Sequence, residues 1–161
     1  MNLKSNLLLF FVLLFLFSCD EKRVFDEYKA TGESWKKDSI IEFHFEEKDT
    51  TKRYNLFVNI RNNNDYPFNN LFIIVALKRA DGLVKRDTLQ YEMTHPDGTL
   101  LGDGFSDVKE NKLYYKENFT FNKPGKYKIQ IQQAVRQTGK ITGVNELPGV
   151  TEVGFRIEST E

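Results

Sequence analysis

The stretch KPGKYKIQIQQAV, residues 123–135, decides the fold class. Apolar side chains occupy every second position from Tyr127 to Ile131, and lysine or glutamine fills the positions between them. Such alternation is typical of a β-strand with one buried face and one face in water. The preceding Pro124-Gly125 pair fits a type II turn, because proline fixes the first central φ and glycine accepts the positive second one.

The same alternation recurs along the chain, in residues 40–45, 54–60 and 152–158. Between residues 71–78 and 83–93, the Asp81-Gly82 pair predicts a tight hairpin turn. We count seven or eight strands and find no sustained helical periodicity. The sequence therefore predicts an all-β fold, an antiparallel β-sandwich of immunoglobulin-like or jelly-roll type.

The amino terminus has the layout of a lipoprotein signal peptide. Lys4 precedes eleven apolar residues, 7–17, and the only cysteine, Cys19, follows Ser18. The run would be roughly 16 Å long as a helix, too short for a bilayer core of roughly 30 Å. An ordinary signal peptide with an incidental cysteine is the alternative. We expect cleavage before Cys19 and lipidation of its thiol.

The predicted organisation has three parts: a signal peptide (1–18), the lipidated cysteine with a polar tether (19–38) and the β-sandwich domain (39–161). Removal of residues 1–18 leaves 143 residues with 22 basic and 23 acidic side chains. A net charge of −1 argues against nucleic acid as a partner. With Cys19 acylated, no thiol remains for a disulfide.

Few residues are candidates for chemistry. His44 and His95 are the only histidines, and neither has a partner at a catalytic or zinc-binding spacing. Asp97, Asp103 and Asp107 share a glycine-rich segment, but their spacing does not fit an EF-hand calcium loop. We therefore predict no catalytic residue, no metal site, no cofactor, no small-molecule ligand and no enzymatic activity.

Three surface features leave alternatives open. Residues 71–77 are apolar on both faces, so a partner protein or, as we favour, residues 136–151 must cover the outer one. The long connections 94–111 and 136–151 are binding loops or, as we favour, core covers, anchored by Leu100, Leu101, Phe105, Ile141, Val144 and Leu147. Aromatic side chains that could stack on sugars or, as we favour, cap a core edge or lie under a loop are Trp35, Phe57, Tyr66 and Tyr114.

Four stretches carry a resemblance to a known family: residues 23–28, 54–68, 107–118 and 153–157. Together they resemble the gliding-motility lipoprotein GldH family of Bacteroidota over nearly the whole mature chain. The resemblance implies a cell-envelope lipoprotein needed for surface gliding and tied to the type IX secretion machinery. It brings no catalytic residues, and Cys19 is the only position whose role carries over.

Three short motifs resemble the site at which Bacteroidota O-glycosylate exported proteins, in which Asp precedes Ser or Thr. The candidate acceptors are Ser39, Thr50 and Thr88, and their alternative role is as ordinary strand and turn residues. Directly after Cys19, the Asp20-Glu21 pair is a candidate sorting signal for the outer membrane. We favour its periplasmic-facing leaflet over the cell surface.

The first functional hypothesis is a non-enzymatic accessory or structural component of gliding motility and type IX secretion. Its expected partners are the membrane, through the lipid anchor, and envelope proteins of that apparatus. The alternative is a glycan-binding envelope lipoprotein. A flat patch on a sheet face would favour a protein partner, whereas a cleft lined by Trp35 or Tyr114 would favour sugar.

Overall fold

The computed structural model describes residues 21–104 and 106–161. The predicted signal peptide, Cys19, Asp20 and the predicted loop anchor Phe105 therefore lie outside the described residues. Within the described ranges, no helix is long and apolar enough to cross a membrane.

Ten β-strands build the described part of the chain. Eight are long enough to form the sandwich, and two three-residue strands form a separate ribbon. In chain order they are β1 (Arg23–Ala30), β2 (Ser34–Lys36), β3 (Ile41–Glu47), β4 (Tyr54–Asn62), β5 (Asn70–Arg79), β6 (Gly82–Glu92), β7 (Lys109–Phe119), β8 (Gly125–Gln133), β9 (Glu146–Pro148) and β10 (Val150–Ser159).

The long strands form two four-stranded sheets. The first has the order β1-β10-β4-β7 and the second the order β3-β8-β5-β6, while β2 pairs with β9. Every pairing is antiparallel. The predicted all-β antiparallel sandwich is confirmed. The predicted hairpin between β5 and β6 also forms, but its two turn residues are Ala80 and Asp81, because Gly82 already pairs with Arg79 as the first residue of β6.

The core lies between the inner faces of the two sheets. Strand alternation turns Leu56, Val58 and Ile60 of β4 inward, and all three are fully buried. On the facing sheet, Phe45 packs among other aromatic side chains of the core. Its ring centroid lies 5.7 Å from that of Tyr127 and 5.9 Å from that of Phe155. Because the described chain shows no disulfide, burial of these apolar side chains must supply the stability.

Truncation of Ile131 tests which side chains of the strands point into the core. Ile131 of β8 is fully buried between Ile41 and Val75 on the neighbouring strands. Ile131→Ala is expected to lower the free energy of unfolding by about 2–5 kcal/mol, the usual cost of a cavity at a buried aliphatic residue. Urea denaturation measures the loss, with Ile141→Ala at a 92% exposed position as control. Equal midpoints for Ile131→Ala and the wild type would contradict the packing.

The folded domain begins earlier than the boundary at residue 39 predicts. Residues 23–30, assigned from the sequence to the tether, form β1, the edge strand that pairs with β10. Phe25 packs its ring 5.7 Å from Phe45 and 6.2 Å from Phe155. Edge strands commonly carry charged side chains, and the four charged residues of β1 make its sequence resemble a tether.

The β2-β9 ribbon covers the sandwich end at which β10 begins. Trp35 and Leu147 face each other in this ribbon and are fully buried, and Trp35 Nε1 donates to the Ser39 carbonyl at 3.0 Å. Leu100 and Val144 also pack against the core, as core covers should. The anchoring role predicted for Ile141 is wrong, because its side chain is 92% exposed at the tip of its loop.

The outer face of β5 is not covered by residues 136–151. A shallow groove with Ile74 and Ala76 in its lining opens there instead, and its other lining residues are Ile40, Lys78, Arg86, Gln130 and Gln132. None of these belongs to the predicted cover. The favoured internal cover is therefore wrong for Ile74 and Ala76.

Candidate functional site

The outer face of the first sheet carries a continuous array of charged and aromatic side chains. The register of β1, β10, β4 and β7 aligns them in cross-strand rows, since alternate residues of each strand point away from the core. We call this surface the charged face; its members are Asp26, Tyr28, Phe57, Asn59, Arg61, Glu110, Lys112, Tyr114, Glu152, Gly154, Arg156 and Glu158.

Tyr28 lies flat across the sheet because the residue opposite it is glycine. A Cβ atom on Gly154 would lie 2.8 Å from two ring carbons of Tyr28, too close for any real contact. The Tyr28 hydroxyl accepts a hydrogen bond from Asn59 Nδ2 at 2.8 Å and donates one to Glu110 Oε1 at 2.8 Å. One aromatic ring therefore connects all four strands.

Arg61 sits at the centre of the first charge cluster. Its guanidinium carbon lies 4.1 Å from the centroid of the Tyr28 ring. Arg61 Nε donates to Glu110 Oε2 at 2.8 Å, and Nη1 donates to Glu152 Oε2 at 2.6 Å. The planar guanidinium suits this combination of ring stacking and two charge-assisted hydrogen bonds, which a lysine could not reproduce.

The protonation states of this cluster follow from its geometry. Burial raises the pKa of the Tyr28 hydroxyl, and the hydrogen bond to Glu110 raises it further. Burial alone would raise the pKa of Glu110, but hydrogen bonds from Arg61 and Tyr28 outweigh it and hold that pKa below its usual range. At neutral pH the tyrosine is a neutral donor, and the carboxylate and guanidinium are charged.

A second charge cluster lies beside the first. Arg156 Nη1 donates to Asp26 Oδ2 at 2.6 Å, and Arg156 Nε donates to Glu158 Oε1 at 2.5 Å. Lys112 Nζ reaches the same Glu158 oxygen at 2.7 Å. Burial would raise the pKa of Glu158, but its two cationic partners lower it. The clusters thus fix their charges in place by pairing them.

An aromatic pair completes the charged face. Phe57 points outward yet is only 2% exposed, because the Lys112 ammonium lies 4.2 Å from its centroid and the Tyr114 ring 4.5 Å away. Tyr114 itself is 53% exposed. It is the large aromatic side chain that this face presents to solvent.

Among the four aromatic residues predicted as candidates for exposure, only Tyr114 is exposed. Trp35 and Phe57 are buried, and so is Tyr66, whose hydroxyl donates to the Asn70 carbonyl at 2.8 Å. Burial of these three agrees with the favoured alternative, in which they belong to the core or lie under other residues. Tyr114 lies on a flat sheet face, which by the criterion set from the sequence favours a protein partner over sugar.

The three candidate glycosylation sites lie apart from one another. Ser39 is half-buried just after β2, and Thr50 is half-buried in the loop between β3 and β4. Thr88 is exposed on β6, an edge strand of the second sheet. The structure therefore does not bring these three residues into one site. The predicted lipidation site, Cys19, lies outside the described residues.

The candidate metal and catalytic residues are also dispersed. Asp97 Oδ1 accepts hydrogen bonds from the backbone and hydroxyl of Thr99, as an ordinary turn residue does. His44 is exposed, with Nε2 3.8 Å from a Glu42 oxygen. Across residues 21–104 and 106–161, no group of three or more histidine, cysteine, aspartate or glutamate side chains could hold a metal ion.

The sequence alone does not indicate the group formed by Tyr28, Arg61, Glu110 and Arg156. Period-two alternation does put Arg61 and Arg156 on the wet side of their strands. Their meeting depends on which strands are neighbours, and β1 and β10 are more than 120 residues apart in the chain. Gly154 inside an otherwise regular strand is the one local signal, because a strand glycine often marks a close approach.

The solved structures that this chain resembles differ strongly from it in sequence. The VP2 subviral particle of infectious bursal disease virus matches with a TM-score of 0.38 and 13% identity, over 87% of this chain and 30% of its own. Dimeric latent PorU from Porphyromonas gingivalis matches with a TM-score of 0.35 and 10% identity, over 88% of this chain and 14% of its own. Scores this low support no inference.

Comparison of sequences is decisive. The sequence model of the GldH lipoprotein family matches residues 23–157. The gliding motility lipoprotein GldH of Flavobacterium johnsoniae is 57% identical over 161 residues, the whole of both chains. The gliding motility lipoprotein GldH homolog of Christiangramia forsetii is 52% identical over 157 residues, which cover 98% of this chain and 96% of its own. The chain belongs to the GldH lipoprotein family.

Proposed function

We propose that this chain is a non-enzymatic lipoprotein of gliding motility, an accessory or structural component of the motility apparatus and of the associated type IX secretion machinery. The observation that carries the proposal is the 57% identity with a gliding motility lipoprotein over the full length of both chains. The secretion link comes from the family resemblance of the sequence.

The proposed location is the outer membrane, where the lipidated Cys19 anchors the chain and the domain faces the periplasm. The apolar run that ends before Cys19 supports lipidation, and the Asp20-Glu21 pair supports sorting to that membrane. Several acyl chains hold a protein far better than the marginal attachment given by one.

The proposed mode of action is protein contact through the charged face. Its ionised groups are paired with one another, as Arg61 is with Glu110 and Glu152, which suits a rigid recognition surface better than a reaction centre. Fixed charges of both signs give a partner a defined pattern of complementary positions. Beside them, the exposed Tyr114 supplies the aromatic anchor that is typical of contact centres.

The alternative of glycan binding has weaker support. The side chain best suited to stack on sugar, Trp35, is fully buried and has its Nε1 bonded to a backbone carbonyl. As a further proposal, the chain itself carries glycans at Ser39, Thr50 or Thr88. The exposure of Thr88 on an edge strand supports this, since a glycan there would block pairing of the edge with another chain.

Complementation of a strain that lacks this gene tests the proposed function. The wild-type gene is expected to restore spreading of the colony edge, whereas Tyr114→Ala should reduce spreading by at least half at an unchanged protein level. Ile141→Ala serves as the matched control, because Ile141 is 92% exposed but lies in the connection between β8 and β9, away from the charged face. Affinity purification of the tagged proteins from membranes should recover an envelope partner with the wild type and lose it with Tyr114→Ala.

Two outcomes would contradict the proposal at different levels. Normal spreading of the strain without the gene would refute a role in gliding. Normal spreading and unchanged partner recovery with Tyr114→Ala would refute the charged face as the contact surface and leave the role in gliding in place.

A further inference from the structure

One end of the sandwich gathers the start of β1, the chain terminus and three connections between strands. Arg23 pairs with Glu158, and Tyr54 pairs with both Ser159 and Phe119, so these strand ends lie together. We call this the anchor end; it consists of residues 21–23, 47–53, 79–84, 119–126 and 160–161. The opposite or far end consists of residues 31–40, 63–69, 93–104, 106–108 and 134–149.

The two ends differ in charge. The anchor end has eight basic and five acidic side chains, a net charge of +3, and the far end has four basic and seven acidic side chains, a net charge of −3. Seven of the eight basic residues at the anchor end are exposed: Lys22, Arg23, Lys48, Lys52, Arg53, Lys123 and Lys126. A chain with nearly balanced charges overall is therefore strongly polarised along its strands.

The anchor end is also where the chain leads to Cys19. Four peptide units separate Cys19 from Arg23, and fully extended they span at most about 14 Å. A ten-residue strand such as β10 measures roughly 33 Å at about 3.3 Å per residue. If the proposed lipidation holds, the anchor end stays close to the lipid headgroups while the far end stands well away from them.

The anchor end has apolar side chains as well as cations. A groove there is lined by Val84, Phe119 and Phe121 and flanked by Lys123 and by the ion pair of Arg79 with Asp81. Val84 is 46% exposed, and Phe119 is partly exposed. Cations around an apolar patch are the combination that binds the interface of an anionic membrane, through headgroup attraction and shallow insertion.

We propose that the anchor end is a second, non-covalent membrane contact, and that its surface lies on anionic lipid headgroups. Lys48, Lys52 and Lys123 face the headgroups, and Val84 reaches the boundary of the acyl region. The strands then run away from the membrane, and the charged face stands upright on the side of the domain. This inference rests on the proposed lipid anchor and adds an orientation to it.

Site-specific quenching tests the orientation. Because acylation consumes the sulfur of the only cysteine, an introduced cysteine is the only free thiol. The lipidated full chain with Thr51→Cys at the anchor end or Thr138→Cys at the far end is labelled with an environment-sensitive fluorophore; both threonines are exposed. In phosphatidylcholine–phosphatidylglycerol vesicles with a headgroup-attached nitroxide, quenching at residue 51 should be several-fold stronger than at residue 138.

Charge reversal tests the headgroup contact. The triple variant Lys48→Glu, Lys52→Glu and Lys123→Glu should weaken quenching at residue 51 and remove its dependence on salt and on phosphatidylglycerol. The matched control reverses three exposed lysines at the far end, Lys36→Glu, Lys37→Glu and Lys140→Glu, and should leave quenching unchanged.

The outcomes distinguish this inference from the proposed lipid anchor on which it rests. Failure of the wild-type chain to float with vesicles would refute the lipid anchor and with it the orientation. Flotation with equal quenching at both labels would overturn the orientation alone. Stronger quenching at residue 51 that neither salt nor charge reversal changes would refute the headgroup contact.

Discussion

Cys19→Ala is expected to abolish acylation of the chain and release it from the membrane or leave it unprocessed. The thiol sulfur of Cys19 is the proposed acceptor of the diacylglycerol, and alanine offers no nucleophile in its place. Each lost methylene removes about 0.8 kcal/mol of membrane affinity, so loss of the acyl chains eliminates the anchor. Metabolic labelling with a fatty-acid probe, followed by membrane fractionation, measures both effects.

The control for this experiment is Ser18→Ala, which keeps a small residue before the intact cysteine and should be labelled like the wild type. Equal labelling of Cys19→Ala and wild type would contradict the lipidation site. The intact mass of the native protein adds a second measurement, because mass beyond polypeptide and lipid would reveal glycans at Ser39, Thr50 or Thr88.

Gly149→Ala is expected to lower the free energy of unfolding by about 3 kcal/mol or more. Gly149 joins β9 to β10 with a φ of 81°, a conformation that costs other residues about 1–2 kcal/mol. Its backbone also packs against the loop before β5, where an added Cβ would lie 2.2 Å from the Tyr66 nitrogen. Backbone atoms cannot rotate away as a side chain does, so overpacking adds about 1–3 kcal/mol.

The chain offers a matched control for this prediction. Gly139 has a φ of 79°, but a Cβ there would meet nothing within 4 Å. Gly139→Ala should therefore cost only about 1 kcal/mol, the strain of the backbone alone. Urea denaturation followed by the fluorescence of Trp35, the only tryptophan and a fully buried one, measures both variants. Equal losses at the two positions would show that the contact with Tyr66 contributes nothing.

Local patterns in the sequence predict the strands of this fold well where alternation is regular. Residues 127–131 alternate without a break, and residues 54–60 do so except at Phe57; they form β8 and β4 with the predicted residues inside. Prediction fails at β1. Four of the eight residues of this edge strand are charged, as is common where a strand edge meets water, and its sequence therefore resembles a tether.

The candidate site could not be predicted because it depends on strand order. Alternation puts Arg61 outside on β4 and Glu152 outside on β10, but it does not show that these strands are neighbours. Burial of Phe57 also depends on such a neighbour, since Lys112 and Tyr114 of β7 cover its ring. A residue on the polar phase of a strand can be buried by long side chains from the next strand.

The position of β10 has a consequence for biosynthesis. This last strand lies in the middle of the first sheet, between β1 and β4. The first strand of the described domain therefore has no pairing partner until β10 has been synthesised. Pairings across so long a sequence separation form slowly, because the loop they close costs conformational entropy. Completion of the sheet is thereby delayed, which suits the proposed export, because an unfolded polypeptide can be threaded through a translocation channel.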